Sequence, residues 1–187
     1  MRAAAFLRIL IVKALRTGSF YAGKRRQDVK EIKKSLMNHA VSCGGIVIFR
    51  GKILVLYKNY KGRYEGWVLP KGTVEEGEEY PDTAVREVLE ESGAKASIVQ
   101  YVGTSQYSFS VPEGEVNKEV HWYLMMGENY YSKPQREEYF VDSGYYKYHE
   151  AAHLLKFQNE RQMLEKAYKI YVEMRKAGLW IPNHSEA

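Results

Sequence analysis

Several common ingredients are scarce in this chain, and each scarcity narrows what it can be. Its 187 residues include one cysteine, Cys43, so no intrachain disulfide forms and a four-cysteine zinc site is impossible. A reducing compartment, the cytoplasm, is the expected home. No apolar run approaches the roughly 20 residues of a membrane span; the stretch from Ala3 to Leu15 is broken by Arg8 and Lys13. Five prolines and 15 glycines without a short period exclude collagen-like and low-complexity classes. There is no internal repeat and no long alternation of strand with helix, so a doubly wound parallel sheet is not expected.

Charge of one sign is missing from the body. Residues 1–40 carry ten Lys/Arg against Asp28 and Glu31, a charge of +8, whereas residues 41–187 carry eighteen against twenty-one acids, a charge of −3. The net +5 therefore reports a basic arm on a mildly acidic domain, not a uniformly basic nucleic-acid binder. We divide the chain into a basic N-terminal extension (1–38), a domain (39–180) and a C-terminal tail (181–187). Three readings of the arm stay open: an amphipathic surface helix using Phe6, Leu7, Leu10, Ile11 and Leu15, a transit peptide that would send the chain to an organelle, or a solvated extension. Nucleic acid or membrane is its candidate partner. Met37 is a candidate start site, and oligomeric state is not legible.

From His39 the pattern turns to strands. Val41–Phe49 and Lys52–Tyr57 flank Arg50-Gly51, which reads as a hairpin turn. A loop follows from Lys58 to Gly66, then a short strand, Trp67–Leu69, and a charged loop after Gly72. Pro81 inside the start and Gly93 past the end mark a helix over Pro81–Ser92, with Ala84, Val85, Val88 and Leu89 on one face. Strands are expected at Ser97–Gly103, Gln106–Val111 and Glu119–Met126, with a turn at Pro112–Glu115. Helices close the chain at His149–Leu155 and Glu160–Ala177, the second capped by Asn159 and ended by Gly178. The fold class is α+β.

On the first of these helices Glu87, Glu90 and Glu91 stand at i, i+3 and i+4, on one face, with Glu87 and Glu91 about 6 Å apart along the axis. Three adjacent carboxylates repel one another, and a divalent cation resolves the repulsion. Oxygen ligands without histidine or cysteine select Mg²⁺, Mn²⁺ or Ca²⁺. Mg²⁺ is usually held by one or two carboxylates plus substrate phosphates, which points to an enzyme acting on phosphate esters or anhydrides. Arg86 can reach Glu90 or the loop acid Glu78 and orient them through a bidentate contact. Gly72 and Gly77 allow the loop to turn sharply.

These residues resemble the Nudix box, G-x5-E-x7-R-E-U-x-E-E-x-G-U with U apolar. Gly72, Glu78, Arg86, Glu87, Glu90, Glu91 and Gly93 fill every fixed position, and Val88 and Ala94 fill the U sites. Seven such matches arise by chance about once in 10⁸ starting points. The resemblance implies an α/β/α sandwich around a mixed sheet, hydrolysing a nucleoside diphosphate linked to another moiety with Mg²⁺ or Mn²⁺. It implies that Glu90 and Glu91 are metal ligands, that Glu87 is a ligand or the general base, that Arg86 and Glu78 belong to the catalytic set, and that the Lys71 carbonyl joins the metal. Glu137 or Glu138 is the candidate further acid. Leu69-Pro-Lys-Gly72, Lys118–Tyr123 and Tyr146–Phe157 resemble dinucleoside polyphosphate hydrolases and inositol pyrophosphate phosphohydrolases. Candidate phosphate contacts are Lys58, Arg63, Lys71 and Lys118; candidate base-stacking rings are Tyr60, Tyr107 and those between Tyr139 and Tyr148. A non-catalytic nucleotide-sensing domain is the alternative from another class. His121 reads as a strand residue satisfied by a neighbour, His149 and His153 as surface histidines, and Cys43, Trp67 and Trp122 as core.

Overall fold

The computed structural model describes residues 39–60, 64–111, 114–134 and 139–180. Its elements are β1 (His39–Phe49), β2 (Lys52–Tyr60), β3 (Tyr64–Val68), β4 (Lys71–Thr73), α1 (Tyr80–Ser92), β5 (Ala96–Val111), β6 (Gly114–Gly127), β7 (Phe140–Lys147), α2 (Tyr148–Leu154) and α3 (Gln158–Lys176). The strands form one mixed sheet in the order β3-β2-β1-β6-β5, with β4 on β1 and β7 on β2. Strands β1 and β6 run parallel along ten residue pairs, and every other pairing is antiparallel. The other edge of β1 is divided: Ile48 and Phe49 pair with β2, while Ser42, Cys43 and Gly44 pair with β4.

Alternation along the strands builds two cores. Ile46 and Ile48, Ile53 and Val55, and Val120, Trp122 and Leu124 face α2 and α3, where Ala151, Leu155, Met163, Leu164, Ala167 and Tyr171 cover them. Cys43 and Val47, Leu54 and Leu56, and Tyr123 and Met125 face α1, meeting Ala84 and Val88. The α/β/α sandwich is thus observed. Strands buried on both faces explain why β1 and β2 read as continuous apolar runs. Of two adjacent glycines, Gly45 admits α1 close to the sheet and Gly44 admits the Pro70–Lys71 segment close beside β1. A Cβ on Gly45 would stand 2.6 Å from Val88, and one on Gly44 would stand 2.5 Å from the Pro70 carbonyl.

Some boundaries differ from expectation. The two strands expected at 97–103 and 106–111 are one, because bulges near Gln100 and Gly103 (φ 142°) absorb the break. The loop expected over 58–66 contributes the end of β2 and the start of β3, and the loop after Gly72 begins as β4. Strand β7 was not expected; its exposed Val141 and its Gly144 hide the alternation. Asn159 does not cap α3. The N-cap is Phe157, and the Asn159 carboxamide oxygen accepts the amide of Glu160.

Candidate metal and phosphate site

Helix α1 ends at Gly93, whose φ of 67° permits the left-handed cap from which its amide reaches the Leu89 carbonyl. The box loop ahead of it is organised by Arg86. Its Nε and Nη2 donate to the two oxygens of Glu78 at 2.8 and 2.9 Å, and Nη2 also donates to the Thr73 carbonyl at 3.1 Å. Thr83 and the Glu75 amide add hydrogen bonds to Glu78. With Arg86 the main cause, the Glu78 carboxyl is held down to about 2.

The remaining nitrogen, Nη1, donates to Glu87 Oε1 and Glu90 Oε2, each at 2.9 Å. These two carboxylates therefore already converge on one cationic atom. Glu91, 4% exposed, accepts the Lys71 amide at 2.8 Å, and burial pushes its carboxyl up to about 8 against the pull of Lys71 and Lys58. Among the described residues, no three carboxylate, imidazole or thiol groups meet round a single point. The donor set nevertheless fits a hard divalent cation: the residues supply oxygen, Glu87 and Glu90 already share one guanidinium nitrogen, and Gly72 of β4 leaves room for the Glu87 carboxylate. A Cβ on Gly72 would lie 1.9 Å from the Glu87 carboxyl carbon.

Three lysines from different strands surround this face. Lys58 lies over the Phe140 ring at 4.3 Å and acts electrostatically on Glu91. Lys118 is near enough for its charge to be felt with those of Glu87, Glu91 and Lys71, and burial lowers its pKa. The ammonium of Lys71, a candidate phosphate contact, forms a 2.9 Å ion pair with Glu160 of α3. A cavity of about 380 Å³ beside Lys118 is lined by Gln106, Tyr107, Ser108, Asn117 and Glu119, which brings the candidate ring Tyr107 into play. Tyr60 packs edge-on against Tyr139. Arg63, Glu137 and Glu138, the arm and the C-terminal tail lie outside the described residues.

His121 is bonded to Glu119 (2.9 Å) and the Tyr101 hydroxyl (3.2 Å) and tilts over Tyr80. Cys43 is fully buried, and that burial pushes its thiol up to about 12. Sequence reasoning placed Glu160 at the start of the last helix and assigned it no role in the site. A signal was present: Glu160 occupies the apolar stripe of α3 with Met163, Leu164, Ala167 and Tyr171, a place where a solvated acid does not belong.

Comparison with known proteins bears on the family and the fold. The "Putative mutator protein MutT4" of Mycobacterium tuberculosis is 38% identical over 95 residues, covering 46% of this chain and 38% of that protein. The "RNA pyrophosphohydrolase" of Sphingopyxis alaskensis is 32% identical over 78 residues, covering 35% of this chain and 49% of that protein. The chain thus matches less than half the length of either curated relative. A crystal structure of a C. elegans Ap4A hydrolase binary complex superposes with a TM-score of 0.59 at 17% identity, covering 72% of this chain and 98% of that one, a likeness of fold. The family model of the NUDIX domain matches residues 39–167, and the chain belongs to that family.

Proposed function

We propose that the chain is a Mg²⁺- or Mn²⁺-dependent pyrophosphohydrolase that cleaves a phosphoanhydride bond in a nucleoside diphosphate-linked substrate, with a dinucleoside polyphosphate such as diadenosine tetraphosphate as the leading class. One observation carries the reading: Glu87 and Glu90 converge on one guanidinium nitrogen of Arg86, beside a glycine whose missing Cβ makes room for the Glu87 carboxylate. Glu87, Glu90, Glu91 and the Lys71 carbonyl would hold the cation. When bound, it neutralises phosphate charge and acidifies water. Glu87 serves as ligand or as proton acceptor, Arg86 and Glu78 keep the loop and the carboxylates in place, and Lys58 and Lys118 meet phosphate. The single reduced cysteine suits a cytoplasmic enzyme.

A second reading, hydrolysis of nucleoside triphosphates or RNA 5′ ends, is supported by the relative named an RNA pyrophosphohydrolase and by the +8 arm, which would add phosphate contacts. One panel separates them. Diadenosine polyphosphates, ADP-ribose, nucleoside triphosphates, inositol pyrophosphates and 5′-triphosphate RNA are incubated with Mg²⁺, and the products are resolved by chromatography. Dinucleoside polyphosphates should turn over fastest by orders of magnitude, and Glu91→Gln should lower kcat by at least about 10²-fold. Fastest turnover of RNA ends, with a steep salt dependence, favours the second reading. Nucleotide binding without turnover would make the domain a sensor.

A further inference from the structure

Glu160 lies in the first turn of α3, 91 residues from Leu69, and is 1% exposed. Its Oε2 accepts the Leu69 amide at 3.0 Å, and its Oε1 stands 2.9 Å from Lys71 Nζ. The Lys71 amide in turn donates to Glu91 Oε2 at 2.8 Å. One carboxylate from the α3 layer therefore grips both ends of Leu69-Pro70-Lys71, and the gripped segment ends on a box glutamate from the α1 layer. As a source of stability this is a poor device. A buried ion pair loses in desolvation about what it gains in attraction, and apolar side chains of similar volume would hold the layers as well. As a means of fixing a short strand in one place it is effective, because one directed hydrogen bond and one buried ion pair bear on the two ends of three residues.

We propose that Glu160 is a positioning residue for the metal face: through Leu69 and Lys71 it holds β4 at the height and angle from which the Lys71 amide orients Glu91. This rests on the hydrolase reading above. Lys71 is then one arm of the bracket and not a phosphate contact.

The test compares the full-length wild type with Glu160→Gln, Glu160→Leu, Lys71→Met and the double variant Glu160→Leu/Lys71→Met. Mn²⁺ affinity is read by electron paramagnetic resonance, melting temperature by circular dichroism, and kcat and KM on the best substrate of the panel. The expected result is a 10- to 100-fold loss of Mn²⁺ affinity and of kcat in Glu160→Leu, with KM within about twofold. Glu160→Gln, which keeps an acceptor for the Leu69 amide, should lose less. The double variant should regain the melting temperature, having no unpaired buried charge, without regaining Mn²⁺ affinity or kcat. A double variant equal to wild type in all of these would reduce the pair to a structural contact and overturn the proposal. If Lys71→Met raises KM alone, the lysine is a phosphate contact and the bracket is wrong. Wild type that binds no Mn²⁺ would overturn the hydrolase reading, and this inference with it.

Discussion

At Gly72 the exchange of one hydrogen for a methyl group bears directly on the chemistry. The added carbon would stand within 2.1 Å of every atom of the Glu87 carboxyl group, and that side chain must move. Gly72→Ala should therefore lower kcat by at least about tenfold while costing about 1–3 kcal/mol of stability; unfolding in urea and turnover measured on one preparation separate the two effects, and unchanged turnover would show the contact to be slack. Glu78 lends itself to a different test. Its folded value, about 2, lies below the ordinary 4.5, so the stability contributed by its charge is complete above about pH 4.5 and is lost as pH falls through 2. The difference in urea midpoint between wild type and Glu78→Gln should hold steady from pH 7 to 5 and then narrow as acid is added. A difference independent of pH would mean that the ionised carboxylate is not what Arg86 secures.

At the scale of elements, what could be read in the sequence was what local chemistry dictates. Pro81 and Gly93 bounded α1 to within one residue, because both act through their own backbone. The shared face of Glu87, Glu90 and Glu91 followed from helical spacing alone. Partnership was harder to see. Strand β4 is three residues long and exists because β1 offers it an edge; strand β7, with Asp142, Ser143 and Gly144 in its middle, is a strand because β2 pairs with it. Gly103 looked like the end of a strand and is a bulge inside one. Glu160 escaped for the same reason: the group it answers is 91 residues earlier, and nothing near it in sequence names that partner.

At the scale of the molecule, one long-range decision is the parallel ladder between β1 and β6, whose pairs run from His39 with Asn117 to Ile48 with Met126. Each joins residues 78 apart, and such pairings must meet the cost of a long loop before any contact rewards it. Refolding followed by tryptophan fluorescence, with Trp122 on β6 as a buried reporter, should be complete in milliseconds to seconds. Recovery in microseconds would show that the ladder is not limiting. Synthesis meets the same separation as a delay. Strand β1 leaves the ribosome before β6 and waits for it, and at 5–20 residues per second a separation of 78 residues takes about 4–16 s to synthesise. Over that interval the edge of β1 that β6 will cover stays unpaired, the kind of template on which a strand of another chain can pair.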